Sequence, residues 1–221
     1  MPDHAIPFEF PAVPPIPREI RRLLVVGGSF NPPHRAHAAL PAEVSDRIDA
    51  DWTVFIPARQ SPLREDDTMV AGEHRLAMLR LALSGRARVS ISRFEIDRPV
   101  PSYTVYTLRA IRRALGSTPE IRFVIGSDQA LQFGRWREPE AMLALATPAV
   151  LVRPPNSAES LREKGLPPRW TPWIIETRVD PISATEVRRR IAAGESTDDA
   201  VHPGVLRYIQ NHGLYGAASR S

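Results

Sequence analysis

Residues 23–37, which read LLVVGGSFNPPHRAH, decide the fold of this chain. Four apolar residues with strand propensity lead into Gly27 and Gly28, and a proline-marked turn follows before a helical, alanine-rich pattern begins at Ala36. This order predicts a strand, a tight loop and a helix. Because glycine has no Cβ, a ligand can approach its backbone closely, and the unpaired N–H groups at the helix start attract an anion to the same place. The expected ligand is a phosphate group.

Two histidines, His34 and His37, lie three residues apart at the start of the predicted helix. At this spacing both side chains project from one side of the helix, so both imidazoles can donate to one phosphate group. The sequence therefore predicts a polyphosphate ligand. A metal-binding pair is an alternative because His is a common ligand, although no third ligand is evident nearby. A dehydrogenase-type dinucleotide site is disfavoured, because Ser29, Phe30 and Asn31 follow the glycines where that fold requires G-x-G-x-x-G.

Length and composition limit the class of protein. With 221 residues, 43% of them hydrophobic, the chain can bury a large core and is expected to form one α/β domain. It has no cysteine, which excludes disulfides and thiolate metal sites and fits a reducing compartment. No apolar run reaches the roughly 20 residues that span a bilayer, and the N-terminus lacks the pattern of a signal peptide. We therefore expect a cytoplasmic protein without membrane contact.

The positive charge of the chain comes almost entirely from arginine. The net charge is +4, and Lys164 is the only lysine among 29 basic residues, so arginines are expected in any anion-binding role. Arginine clusters at Arg109, Arg112, Arg113 and residues 188–190 raise the alternative of a nucleic-acid-binding protein. These clusters lie on helical patterns without interleaved aromatic residues, so solvated helix faces explain most of them. No nucleic-acid partner is expected.

Strand and helix patterns alternate along the chain. Residues 1–20 contain six prolines and are expected to form an extended arm, residues 21–215 a single domain, and residues 216–221 a flexible tail. The predicted strands are 21–27, 52–56, 89–91, 121–125, 148–154 and 173–176. The predicted helices are 36–49, 73–83, 102–115 and 157–164, with two more that open near residues 183 and 203. This alternation predicts a doubly wound, mostly parallel, Rossmann-like α/β sheet with ligands at the carboxyl ends of its strands.

Several motifs, in order, are similar to those of the nucleotidyltransferases that share the HxGH signature. GSFNP at 28–32, followed by His34-x-x-His37, resembles that signature, with Ala36 in place of its glycine. PARQSPLR at 57–64 resembles a phosphate-contacting Pro-His-Lys or Pro-His-Arg segment, with Leu63 in place of the histidine. GSD at 126–128 resembles a Gly-x-Asp motif, and ISATEVR at 182–188 resembles Ile-Ser-x-Thr-x-x-Arg. The resemblance spans about residues 22–215.

The resemblance implies transfer of a nucleoside monophosphate from a triphosphate, on the nucleotidyltransferase fold. SYT at 102–104 and Trp136 resemble the branch that adenylylates nicotinate mononucleotide to give deamido-NAD and pyrophosphate in NAD biosynthesis. ATP and nicotinate mononucleotide are thus the expected partners, and Mg²⁺, bound mainly through the ATP phosphates, is the expected cofactor. Sister transferases that act on nicotinamide mononucleotide or phosphopantetheine are the alternatives. Trp136 disfavours the second, because a flat ring needs a stacking partner and a thiol chain does not.

The resemblance also implies three sets of site residues. Those implied in catalysis are His34, His37 and Arg188. Those implied in ATP binding are Gly27, Gly28, Ser29, Phe30, Asn31, Gly126, Asp128, Ile182, Ser183 and Thr185. Those implied in mononucleotide binding are Arg59, Arg64, Ser102, Tyr103, Thr104, Trp136 and Arg153. No protein residue is expected to bind metal. Structural interpretations stand beside four of these assignments: a solvated arginine for Arg59, helix caps for Ser102 and Asp128, and a core position for Trp136.

Overall fold

The computed structural model describes residues 16–60, 69–99, 101–152, 156–177 and 182–217. In these residues, the strands are β1 (Arg22–Gly28), β2 (Trp52–Pro57), β3 (Val89–Ile91), β4 (Glu120–Gly126), β5 (Thr147–Val152) and β6 (Ile174–Glu176). They form one sheet in the order β3-β2-β1-β4-β5-β6, and every described pairing is parallel. The predicted doubly wound α/β fold is confirmed.

Helices connect the strands and cover both faces of the sheet. The described α-helices are α1 (Arg35–Arg47), α2 (Gly72–Ala82), α3 (Thr104–Leu115), α4 (Ser127–Leu131), α5 (Pro139–Leu145), α6 (Ala158–Glu163), α7 (Ala184–Ala192) and α8 (Pro203–Asn211). Three short 3₁₀ helices are Phe133–Arg135, Pro168–Trp173 and Leu214–Gly216. The predicted elements are therefore present, with their ends shifted by at most two residues, and α5 is additional to them.

Apolar residues alternate between two cores along β1, as expected for a buried strand of a parallel sheet. Leu23 and Val25 belong to a cluster on the face covered by α3, α5 and α6. Leu24 and Val26 belong to a second cluster on the face covered by α1 and α2. A third cluster, which includes Val187, packs α7 and α8 against α2. This packing brings the C-terminal helices to the loop that follows β1.

The sheet opens between β1 and β4 at its carboxyl edge. The register of β1 on β2 continues to Gly28 opposite Pro57, whereas described pairing of β1 with β4 ends at Val25 opposite Phe123. Here the chain also changes direction across the sheet, because β2 and β3 lie on one side of β1 and β4 to β6 on the other. Such a topological switch point is where open α/β sheets bind ligands.

The predicted N-terminal arm reaches into the core with its last residues. Ile16 and Ile20 are buried and belong to the first apolar cluster. Residues 1–15 lie outside the described residues, as do residues 218–221 of the predicted tail. Of the two tail residues that are described, Gly216 ends a 3₁₀ helix and Ala217 packs partly against the third cluster. The arm and tail boundaries stay predictions.

Candidate active site

Two glycines form the floor of the crevice between β1 and β4. Gly27 is exposed although it lies in a central strand, and Gly126 is half-buried at the end of β4. At either position a Cβ would meet no described heavy atom within 4 Å, apart from the chain neighbours. The backbone of both strands is therefore open to a ligand here, as the sequence predicts for Gly27.

The neighbouring Gly28 has a different reason to lack a side chain. A Cβ at Gly28 would lie 3.1 Å from Cζ of Phe30, whose side chain is 1% exposed. Phe30 has a φ of +49°, a left-handed conformation that costs energy for a residue with a Cβ and is concentrated at functional loops. Its ring packs edge-on against His37 at 5.1 Å between centroids. Gly28 and the Phe30 side chain therefore shape the loop, and the ATP-binding role predicted for both residues stays a prediction.

The two histidines lie together at the N-terminus of α1. His34 occupies the N-cap position and His37 the third helical position, and their rings stack with centroids 3.6 Å apart. The backbone N–H of His34 donates to Nδ1 of His37 at 3.2 Å. Because that nitrogen uses its lone pair as acceptor, the proton of a neutral His37 lies on Nε2. His37 is thereby oriented as a hydrogen-bond donor through Nε2.

Asn31 connects the loop between β1 and α1, residues 29–34, to three distant segments. This loop is called the phosphate loop, after the ligand that the sequence predicts for it. Its side chain is completely buried, and Oδ1 accepts hydrogen bonds from the backbone N–H of Val70 at 3.2 Å and from the Tyr215 hydroxyl at 2.7 Å. Its backbone carbonyl accepts a bond from Nη1 of Arg188 at 2.8 Å. Asn31 therefore supports the loop through its side chain, a role that the sequence alone did not reveal.

Helix α7 brings Arg188 to the same loop. Ser183 is the N-cap residue and accepts a hydrogen bond from the N–H of Glu186 at 3.1 Å, so the helix predicted to open near residue 183 is confirmed. Thr185 is exposed, and its Oγ1 lies 3.5 Å from Nη2 of Arg188. Ile182, just before the helix, packs partly against the second and third clusters. Of these residues, Arg188 makes the described contact with the phosphate loop.

Other arginines of the suggested nucleic-acid clusters are engaged within the protein. Arg189 forms ion pairs with Glu186 and Glu195, at 2.9 and 2.7 Å. Arg190 pairs with Asp199 at 2.6 Å, and Arg109 pairs with Glu138 at 2.5 Å. The carboxylates raise the pKa of Arg189, and the guanidinium groups hold the pKa values of these carboxyls below their usual range. These ion pairs lie on solvent-exposed surfaces, which agrees with the solvated helix faces that we predicted for most of the clusters.

The residues predicted to bind the mononucleotide include Arg59 and Ser102, which lie where the loop after β2 contacts the start of α3. The hydroxyl of Ser102 accepts a hydrogen bond from the N–H of Arg59 at 3.0 Å, and the N–H of Ser102 donates to the carbonyl of Gln60 at 3.0 Å. The predicted cap role of Ser102 is therefore wrong, because Tyr103 occupies the N-cap position and α3 begins at Thr104. The Tyr103 side chain makes no capping hydrogen bond, so among the described residues the N-cap leaves the first N–H groups of the helix without a side-chain acceptor.

A buried carboxyl lies behind this segment. Glu95 is nearly inaccessible, and it accepts a hydrogen bond from Oγ1 of Thr107 at 2.5 Å. Burial raises the pKa of Glu95, while its hydrogen bonds with Thr107 and Ser102 oppose the shift. Glu95 therefore ties Ser102 to the body of α3, although sequence reasoning did not single it out.

Of the remaining predicted site residues, the structure describes Asp128, Trp136 and Arg59. Asp128 is exposed in the first turn of α4, and the predicted cap role is wrong because Gly126 is the N-cap residue. Trp136 is half-buried against Phe133, with ring centroids 5.5 Å apart, so part of its surface is available for stacking. Arg59 donates to the carbonyl of Arg98 at 2.9 Å. The predicted site residues Arg64 and Arg153 lie outside the described residues.

A separate pocket of about 340 Å³ lies at the amino ends of β2 and β3. It is lined by α1 and the segment before β3, including Asp46, Thr53 and Arg88. Because Gly27 and Gly126 lie at the opposite, carboxyl edge of the sheet, this pocket is not the site described above.

The described ranges contain neither a metal-binding cluster nor a membrane-spanning helix. Across those ranges, no three side chains of His, Cys, Asp or Glu are grouped closely enough to hold a metal ion. No helix in the same residues is long and apolar enough to cross a bilayer.

A doubly wound sheet that opens at its switch point, with a glycine loop and stacked histidines at the rim, defines an α/β protein that binds phosphate-bearing ligands. Residues 25–190 match the family model described as cytidylyltransferase-like. The chain belongs to this family, and the predicted resemblance to nucleotidyltransferases is confirmed.

Curated relatives match along nearly their whole length. A protein of Roseiflexus castenholzii, named probable nicotinate-nucleotide adenylyltransferase, is 34% identical over 194 residues, which cover 86% of this chain and 96% of that protein. A protein of the same name from Streptomyces coelicolor is 34% identical over 190 residues, covering 86% of this chain and 98% of its own. The similarity to these relatives therefore extends over the complete domain and is not limited to one motif.

Solved structures share the fold. Plasmodium falciparum nicotinic acid mononucleotide adenylyltransferase complexed with NaAD has a TM-score of 0.68 to this chain at 20% identity, covering 89% of this chain and 98% of its own. The same enzyme complexed with APC has a TM-score of 0.66 at 19% identity, with the same coverage. At these identities the likeness establishes the fold.

Proposed function

We propose that this protein transfers the adenylyl group of ATP to nicotinate mononucleotide, which forms deamido-NAD and releases pyrophosphate. The observation that carries the proposal is the open crevice between β1 and β4, with Gly27 and Gly126 on its floor and His34 and His37 at its rim. The names of the relatives supply the substrates, since they describe nicotinate-nucleotide adenylyltransferases over nearly the whole length of both chains.

The proposed reaction is an in-line displacement at the α-phosphorus of ATP. An oxygen of the 5′-phosphate of the mononucleotide forms the new P–O bond. The bond from the α-phosphorus to the bridging oxygen of the β-phosphate breaks, and pyrophosphate leaves with the electron pair. Because a phosphate monoester is already ionised near neutrality, the step requires no general base. Positioning and neutralisation of charge supply the acceleration.

Three side chains of this chain neutralise the phosphates in the proposal. His37 presents Nε2–H because its Nδ1 accepts the N–H of His34, and the stacked ring of His34 lies alongside. Arg188 is held at the same loop by its bond to the carbonyl of Asn31. ATP enters as its magnesium complex, in which the ion is held mainly by the phosphates and supplies further neutralisation.

The adenosine of ATP lies over the carboxyl ends of β1 and β4 in this proposal. Gly27 and Gly126 allow the nucleotide to approach the strand backbone, since a Cβ at either position would meet no described atom within 4 Å apart from the chain neighbours. Asp128 follows directly in the first turn of α4, where its exposed carboxylate can accept hydrogen bonds from the ribose hydroxyls.

The mononucleotide lies at the N-terminus of α3. The first N–H groups of that helix, near Tyr103 and Thr104, have no side-chain cap and carry the positive end of the helix dipole. A carboxylate satisfies such donors, whereas an amide can turn its NH₂ toward a group that cannot accept it. Trp136 supplies the surface on which the pyridine ring stacks. This arrangement favours the acid over the amide form of the mononucleotide.

The proposal is tested by measuring pyrophosphate release from ATP with three acceptors: nicotinate mononucleotide, nicotinamide mononucleotide and phosphopantetheine. We expect the highest kcat/KM with nicotinate mononucleotide, by about tenfold or more over the amide, because one unsatisfied polar group costs on the order of 1–3 kcal/mol. A higher kcat/KM with one of the other two acceptors would show that this acceptor, and not nicotinate mononucleotide, is the substrate. Absence of release with all three acceptors would refute adenylyl transfer.

A further inference from the structure

Arg75, on α2, is the unusual charge of this fold because it lies entirely inside the protein. Its residue exposure is 1%, and it donates hydrogen bonds to the carbonyls of Ser29 at 2.8 Å, Ala58 at 2.6 Å, Val70 at 3.1 Å and Arg59 at 3.4 Å. No carboxylate of the described residues pairs with it, and burial lowers its pKa from a very high starting value. The guanidinium therefore stays charged while it is compensated by carbonyl dipoles.

A buried charge that has no counter-ion among the described residues is costly, so its presence needs an explanation. Neutral side chains can also donate hydrogen bonds to carbonyls, and burying them costs less free energy than burying an arginine. The carbonyls of Ser29 and Ala58 follow neighbouring strands, because Ser29 continues β1 and Ala58 continues β2. A planar guanidinium, with five donors in fixed directions, can bridge both loops at once, whereas an ammonium group cannot.

We propose that Arg75 is a positioning residue for the polyphosphate: it holds the loops after β1 and β2 together and leaves its positive charge beneath them for the bound triphosphate to neutralise. This inference rests on the proposed function. The guanidinium lies one hydrogen bond from the phosphate loop, in a site shielded from water, where charge interactions are stronger than at the surface. Because no carboxylate among the described residues pairs with it, its charge remains available to an anion above the loops.

A second arginine provides a matched control. Arg112, on α3, also donates to backbone carbonyls only: Leu145 at 2.9 Å, Pro119 at 2.6 Å, and Gly116 and Ser117 at 3.4 Å each. Burial lowers its pKa as well. Its partners, however, lie around the starts of β4 and β5, at the amino edge of the sheet. Arg112 therefore makes the same kind of contact far from the phosphate loop.

The test compares the dissociation constants of ATP and adenosine in the parent and in Arg75→Lys, Arg75→Met, Arg112→Lys and Arg112→Met, with the free energy of unfolding measured for each. We expect the Kd of ATP to rise about tenfold or more in Arg75→Met and less in Arg75→Lys, which keeps the charge but loses the bridging geometry. The Kd of adenosine, which has no phosphate, should change by less than about twofold. The Arg112 variants should lose stability without changing either Kd.

Two results would overturn the inference. Parental ATP affinity in the folded Arg75 variants would reduce Arg75 to a packing residue. Equal losses for ATP and adenosine, or equal losses in the Arg112 variants, would assign the effect to general destabilisation. If the parent itself binds no ATP, the proposed function fails instead, so the two failures are distinguishable.

A measurement on the parent covers the case in which no Arg75 variant folds. In a crystal structure with a non-hydrolysable ATP analogue, the triphosphate should lie within about 10 Å of the Arg75 guanidinium, the range over which charges interact at ordinary ionic strength. The bonds to Ser29 and Ala58 should persist there. A triphosphate placed farther away, or a carboxylate of the protein paired with Arg75, would overturn the inference.

Discussion

Replacing Gly27 or Gly28 by alanine separates ligand approach from loop packing, because the two positions differ in what a methyl group would meet. At Gly27 an added Cβ meets no described atom within 4 Å apart from its chain neighbours. At Gly28 the same atom lies 3.1 Å from the ring of Phe30, which is buried. Neither glycine has a positive φ, so the backbone of both positions accepts alanine.

The free energies of unfolding should change in opposite directions. Gly27→Ala restricts the unfolded chain without creating a contact in the folded one, and should stabilise by about 0.4–1 kcal/mol. Gly28→Ala forces the Phe30 ring to move, although that ring packs against His37 and Phe55 with centroids 5.1 and 6.0 Å away. We expect a loss of about 1–3 kcal/mol for this overpacking. Urea unfolding of the three proteins measures both changes.

The affinity for ATP should not follow the order of the stabilities. In Gly27→Ala the methyl group projects into the crevice where the proposal places ATP. An overpacking cost of about 1–3 kcal/mol there corresponds to a rise of about 5- to 150-fold in the Kd of ATP. Gly27→Ala is thus expected to be more stable than the parent and less active, and calorimetric titration with ATP alongside pyrophosphate release measures the loss. Gly126→Ala is the companion variant on β4, with the same open surroundings.

Two outcomes would refute this reasoning. Parental ATP affinity in both Gly27→Ala and Gly126→Ala would show that no nucleotide approaches the crevice floor. A loss of stability in Gly27→Ala as large as in Gly28→Ala would show that the space above Gly27 is filled in the folded protein.

Four further predictions concern the site. His37→Ala should lower turnover about 100-fold or more with the fold intact, because it removes a phosphate donor, and unchanged turnover would remove His37 from the site. Arg188→Lys should not restore full activity, because one ammonium cannot bond the loop carbonyl and present paired donors to phosphate; parental kcat/KM would make Arg188 a surface charge. Trp136→Ala should raise KM for the mononucleotide far more than for ATP, and an unaltered KM would assign the indole to the core. Burial raises the pKa of Glu95, so the free energy of unfolding of the parent should fall as pH rises from 4.5 to neutrality, because the buried carboxyl must ionise. Glu95→Gln has no such carboxyl and should lose less stability over the same range in urea unfolding. Equal dependence of the two free energies on pH would contradict this.

Local signals explain why the sheet and the phosphate loop could be predicted. The apolar run into Gly27, the histidines at the helix start and the alternation of strands with helices are all visible within short windows of sequence. Each of these signals specifies a conformation that involves few distant residues. The fold class follows from their order along the chain, because parallel strands joined by helices have few allowed arrangements.

Contacts between distant segments account for what could not be predicted. Ser102 resembles a helix cap in sequence, but the N–H of Arg59 uses its hydroxyl, 43 residues away. Val70 and Tyr215 meet at Asn31 without any local pattern that relates them. Arg75 did leave a signal, because it shares the buried face of α2 with Leu76 and other apolar residues. An arginine on the apolar face of a helix is a pattern that predicts a buried, bonded guanidinium.

The bond from Tyr215 to Asn31 also has a consequence during synthesis. The two residues are 184 positions apart, so the loop that carries Asn31 leaves the ribosome long before its partner does. Until the C-terminal segment docks, the buried amide oxygen of Asn31 lacks the Tyr215 hydroxyl, and the helix that carries Arg188 is also absent for most of that time. A growing chain therefore contains the loop that carries Asn31 before it contains the two segments that hold this loop in place in the folded protein.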